Sequence, residues 1–208
     1  MSQPTLDEAA LRRTELYSEE LGIDLASNAD PELFKWLLAS VLFGARISET
    51  LAKRTYRTFE RHHLLTPKRI LGAGWDYLVD PIMREGGYVR YDGKTSHEIL
   101  SNCRMLLTEY GGSLTRLHAL ARDSVDLEAR LDCFLGVGPI TVNIFLRELR
   151  PYWAKADPEP LPGVKTLARR LRIDLHDDPR KSIAFARLEA GLIRHRKILV
   201  PRRPRQSR

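Results

Sequence analysis

The sequence predicts an all-α fold, and three observations lead there. Apolar residues recur at helical spacing, as in Leu33, Trp36, Leu37 and Val41, and again in Val142, Phe145, Leu146 and Leu149. Helix start signals, an N-cap side chain or a proline in the first turn, precede these runs. No stretch of useful length alternates apolar and polar residues as a half-buried strand does.

The elements follow in order. Residues 1–25 read as an outlying amphipathic helix. Asp30-Pro31 pairs an N-cap acid with a proline at the first turn, and Gly44 ends the helix it opens. Ser48 caps the next helix, which runs to Phe59. Thr66-Pro67 opens a short helix through Leu71, and another spans residues 75–83 before the Gly86-Gly87 break. Asp92 or Thr95 starts a long helix to Tyr110, closed by Gly111-Gly112. Short helices at 114–121 and 125–134 come next, then two long ones near 139–149 and 179–195. Between these last two, Pro158, Pro160 and Pro162 make residues 155–163 an extended connector, because a residue before proline avoids the helical region.

A chain of 208 residues suits one compact domain or two small lobes, and 43% hydrophobic residues supply a core. No apolar run has the length to span a bilayer. Residues 1–10 hold two acids and no apolar stretch, so no secretory signal is expected, and the location expected is cytoplasmic, with the nucleoid. Cys103 and Cys133 are expected to be buried free thiols. No Cys/His spacing suits zinc, and the adjacent His62 and His63 do not face one point on a helix, so no metal or other cofactor is expected.

The net charge is +7. Seven Lys or Arg residues and no acid lie from Arg194 onward, which leaves 27 bases and 27 acids before it. The expected division is therefore one domain over residues 1–193 and a flexible basic arm over 194–208. Such an arm, with Arg196 and Lys197 near its root, suits a polyanion such as double-stranded DNA.

The most informative stretch is LEARLDCFLGVGPITVNIFLREL at residues 127–149. It reads as helix, then Leu135-Gly136-Val137-Gly138, then helix. Two glycines around one apolar residue allow a tight turn with a positive φ and no Cβ over the backbone. Val137 plugs the space between the helices. The turn then offers free N–H groups at a helix N-terminus, where the dipole also favours phosphate. Pro139 fits the first helical position, and Thr141 adds a hydroxyl.

With its surroundings, the chain resembles the endonuclease III branch of the helix-hairpin-helix DNA glycosylase superfamily. Three segments carry the resemblance in order and spacing: PELFKWLLASVLFGARISETLAKRTYRTF at 31–59, FLGVGPITVNIFL at 134–146, and LPGVKTLARRL at 161–171. Residues 88–94, after Gly86-Gly87, are similar to the loop before that family's long middle helix. The resemblance implies a two-lobed helical fold with DNA across the cleft. Phosphate would rest on Gly136 and Gly138, and the target nucleotide would be extruded between the lobes. Arg46, in the turn after Gly44, is the side chain long enough to fill a vacated base position.

Both catalytic positions implied by the resemblance differ. The lysine of bifunctional members aligns with Ile140, which forms no Schiff base. The family aspartate aligns with Lys165. Two unit charges about 4 Å apart at an effective dielectric near 20 interact by roughly 4 kcal/mol, so a cation there opposes an oxocarbenium-like transition state by several powers of ten in rate. Two replacements are available. Lys165 itself can act as an amine nucleophile on an abasic sugar, or Asp157 or Glu159 in the connector can supply a carboxylate. The four-cysteine iron–sulfur loop of many relatives is absent. The expected activity is that of a DNA-binding repair protein, a glycosylase or abasic-site lyase with altered catalytic residues. The alternatives are a non-catalytic monomeric binder of damaged or distorted duplex and a helical protein–protein adaptor.

Overall fold

Apolar side chains spaced for helices fold into helices throughout the described residues, and no strand forms there. The computed structural model describes residues 8–199, with side chains to His195. Short helices α1 (Glu8–Leu11) and α2 (Tyr17–Glu20) open the chain. They form no outlying amphipathic helix. Leu11, Leu16, Tyr17, Leu21, Ile23 and Leu25 are all buried, so the segment packs as part of the core. Its apolar residues are too many for one face of a free helix, which is the physical reason for the correction.

Helix α3 (Asp30–Gly44) has Pro31 in its first turn, but Ala29 takes the cap position. The Asp30 carboxylate instead accepts from Thr115, at 2.9 Å from its N–H and 3.1 Å from its hydroxyl. Ser48 caps α4 (Glu49–Arg61) by accepting from the Leu51 N–H. Thr66 does the same for α5 (Pro67–Tyr77), which continues past Leu71 with a break at Gly74. A wide π-type turn, Leu78–Met83, and the short α6 (Arg84–Gly86) lead to Gly87 in the left-handed region. The expected single helix over 75–83 is therefore split, because Asp80 before Pro81 takes an extended conformation.

Helices α7 (Asp92–Tyr110), α8 (Leu114–Leu120) and α9 (Ser124–Asp132) come next. After them stand α10 (Pro139–Leu149), α11 (Pro162–Leu171) and α12 (Ile183–Leu199). The main core gathers α2 to α10 around the fully buried Trp36, Phe59, Leu106, Leu131 and Leu149. A smaller core joins α1, α11 and α12 through Leu11, Val164, Leu167, Leu188 and Leu192.

Gly44 and Gly86 let helices approach closely. A Cβ at position 44 would lie 2.0 Å from the Thr141 hydroxyl oxygen, and one at 86 would lie 2.8 Å from the Thr55 backbone. Cys103 is buried as expected. Cys133 is exposed, because it lies in the turn after α9 rather than inside a helix. Arg194, the first residue of the expected arm, lies inside a helix instead. Helix α12 runs on to Leu199, and Arg194 is held by Glu20 at 2.7 Å and lies over the Tyr17 ring at 3.9 Å. Arg196 and Lys197 have helical backbone; their side chains, and residues 200–208, lie outside the described part.

Candidate nucleic-acid interface

Helix α9 ends at Asp132, and six residues, 133–138, connect it to α10. Gly136 takes φ 75°, a left-handed conformation, and so turns the chain sharply. Its missing side chain is also required by space, since a Cβ there would sit 2.5 Å from the Glu98 carboxyl carbon. Val137 is buried and its N–H donates to the Phe134 carbonyl at 3.0 Å, which locks the turn against the core. Asn102 Nδ2 donates to the Leu135 carbonyl at 3.0 Å and ties the turn to α7. Leu135 and Ile140 are both exposed.

The N–H groups of Gly136, Gly138, Ile140 and Thr141 meet no acceptor among the described residues, and no side chain caps α10. A Cβ at Gly138 would meet nothing within 4 Å. Open space, free donors and the positive end of an eleven-residue helix thus coincide at Gly138-Pro139. One feature opposes an anion there: the Glu98 carboxylate lies beside Gly136, with Lys94 at 3.6 Å as its partner.

Beside this corner is a cleft of about 410 Å³. Pro139, Val142 and Asn143 of α10 form one wall, and Pro158 to Pro162 with Lys165, Thr166 and Arg169 form the other. Lys165 therefore faces the cleft, where its amine donates to Glu159 at 2.6 Å. That hydrogen bond, helped by Arg180, holds the Glu159 carboxyl below the usual carboxylate range against the opposing effect of burial. Arg169 stands one turn after Lys165 on the same face of α11. The N-terminus of α11, opened by Pro162, has open space at Gly163.

The remaining predicted residues part ways. Arg46 is exposed just after Gly44, whose backbone abuts Thr141 in the first turn of α10, so the chain leaves α3 close to the corner. Thr141 itself is a correction. It is 4% exposed and its hydroxyl points into α3, because the close approach at Gly44 consumes that side of α10. Asp157 is a second correction. It does not line the cleft; Arg150 donates to it at 2.8 Å and Arg180 at 2.9 Å, so it anchors the connector.

Sequence reasoning missed Glu128, Asn143, Arg169 and Glu98. Glu128 lines the cleft without an ion-pair partner among the described residues, and burial raises its carboxyl above the ordinary value. Asn143 Nδ2 donates to the Glu159 carbonyl at 2.8 Å, fastening the connector to α10, while its Oδ1 is buried with no partner. The four-residue step from Lys165 to Arg169 was readable on a helix. The positions of Glu128 and Glu98 depend on which helices pack together and left no local signal. No group of three His, Cys, Asp or Glu side chains suited to a metal ion occurs among the described residues.

Compared with known proteins, the chain matches no family model, no curated protein and no solved structure.

Proposed function

We propose that the chain binds double-stranded DNA as a monomer, in the manner of a helix-hairpin-helix glycosylase, with backbone phosphate held at the Gly136–Gly138 corner. The observation that carries this reading is the uncapped start of α10, where free N–H groups face open space. Arg46, Lys165 and Arg169 supply cations around the same corner and cleft, and the basic residues after Arg194 add sequence-independent attraction. Bent or damaged duplex is the preferred target, because a distorted site yields a nucleotide to a cleft at lower cost.

Gly138→Asp tests it. The new carboxylate caps α10 with its own oxygen, so folding is preserved, and it removes the donors while adding a negative charge. Affinity for duplex DNA is expected to fall at least ~10-fold, equivalent to about 1.4 kcal/mol, in fluorescence anisotropy. An unchanged dissociation constant in a folded variant sinks the assignment.

A second reading, an abasic-site lyase, is favoured by Lys165 facing the cleft. Its amine is engaged by Glu159, so that pair must open before an imine forms. Borohydride trapping on abasic DNA, with Lys165→Ala beside the native chain, decides it. An adduct lost in the variant supports the lyase; no adduct leaves a non-catalytic binder.

A further inference from the structure

Away from the hairpin, reactive side chains meet where α4, α5 and α6 join. Tyr77 Oη lies 2.8 Å from His62 Nδ1, and His62 Nε2 lies 3.0 Å from Glu85 Oε2. Glu85 is held below the usual carboxylate range, chiefly by the His62 hydrogen bond and further by Arg61, so it is an acceptor. His62 therefore donates its Nε2–H to Glu85. In the neutral imidazole, Nδ1 then carries the lone pair and accepts the Tyr77 hydroxyl. Hydroxyl, imidazole and carboxylate stand in the order that activates a nucleophile.

The backbone builds this arrangement. Gly74, at φ 80° and ψ 176°, breaks α5 and redirects its last turn. Trp75 Nε1 then donates to the Gly93 carbonyl at 3.0 Å, pinning that turn to the start of α7. The Tyr77 ring meets His62 edge-on at 5.7 Å. An open cavity of about 630 Å³ lies in front, lined by His62, His63, Leu64, Arg69, Ala73 and Tyr77. No carboxylate lines it, because Glu85 stands behind His62. Arg69 is steadied by a hydrogen bond to the His63 carbonyl at 3.2 Å. A cationic, aromatic wall with a hydroxyl facing it suits an anionic electrophile.

We propose that this cavity is a second reactive site, in which Tyr77 attacks the phosphorus of a phosphate ester bound by Arg69 and His63. As the bond from Tyr77 Oη to phosphorus forms, His62 Nδ1 takes the phenolic proton. The bond from phosphorus to the leaving oxygen breaks, and the imidazolium returns the proton to that oxygen. Water then attacks the phosphorus on Tyr77 with His62 as base, phosphate departs (or, from a diester, the remaining monoester), and the proton returns to Tyr77. The net change is hydrolysis of the ester. Neither the hairpin nor Lys165 takes part, so the proposal stands or falls independently of DNA binding.

The test uses the full chain with p-nitrophenyl phosphate and bis(p-nitrophenyl) phosphate. A burst of nitrophenolate approaching about one equivalent per chain is expected, with a phosphoryl adduct on the Tyr77 peptide by mass spectrometry. Tyr77→Phe abolishes both; His62→Gln and Glu85→Gln each slow the burst by ~100-fold. Cleavage of the diester alone points to nucleic acid as the source of the ester, and cleavage of the monoester to a small molecule. Nitrophenolate release no faster than in buffer from either ester, or equal release by Tyr77→Phe, overturns the proposal. So does an adduct absent from Tyr77.

Discussion

The two ends of α10 are opposites. At its N-terminus, Gly138 and Pro139 leave backbone donors facing open space. At its C-terminus, charged groups are buried and bind one another and nearby backbone through most of their polar atoms. Glu148 accepts from the Tyr17 N–H at 3.2 Å and the Ser18 N–H at 2.9 Å. Arg150 meets Glu189 at 3.0 Å and Asp157 at 2.8 Å. Arg150, Glu148 and Glu189 are all 1% exposed or less. One end fastens the N-terminal segment, the connector and α12 to the core; the other keeps its polar groups unspent. Polar backbone can remain unpaired only where solvent or a ligand reaches it, so the openness at Gly138 is affordable and the same openness at Arg150 is not.

The contrast can be broken at the buried end first. Arg150→Met is expected to cost about 3–5 kcal/mol in urea unfolding, because Glu189 is left buried without its partner. Arg150→Met combined with Glu189→Leu should recover most of that loss. Recovery of none would mean that Arg150 acts through Asp157 and the connector instead. The joint between α3 and α10 comes next. Gly44→Ala drives a methyl group onto Thr141 and should cost roughly 1–3 kcal/mol. Thr141→Ala should relieve part of it, and a double-mutant cycle reads the coupling.

At the open end the effects are smaller. Glu98→Gln removes the carboxylate beside Gly136 and should raise DNA affinity a few-fold at low salt, with the gain fading as salt is added. The smallest effect concerns Glu159. Its folded carboxyl titrates below the ordinary value, so the stability it contributes is present above that ordinary value. That stability is lost as pH falls through the lowered one. Lys165→Ala should move the Glu159 midpoint back upward, measured by carbon NMR of the carboxyl; an unmoved midpoint would show that Arg180 dominates.

Much of the helical layout was legible because its signals are local. Ser48, Thr66 and the prolines at 31, 67 and 139 act within one turn of their own position. The glycine pair at 136 and 138 was readable for the same reason. Thr141 and Asp157 were misread because each has a partner far along the chain or on another helix, Gly44 for one and Arg180 for the other. Asp157 and Glu159 are carboxylates two residues apart, yet one is an anchor and the other a cleft residue. Only the fold of the connector separates them.

The sequence by itself determined the all-helical character, most helix starts, the glycine-bearing turn and the excess of basic residues toward the end of the chain. These follow from φ restrictions, capping and apolar spacing, which operate over a few residues. The tertiary structure alone decided that Glu98 flanks the turn, that Glu128 and Lys165 share a cleft, that Arg194 is held against Tyr17, and that Tyr77, His62 and Glu85 align. Those arrangements depend on which helix faces pack together, and helix packing is set by the summed burial of many side chains rather than by any one stretch of sequence.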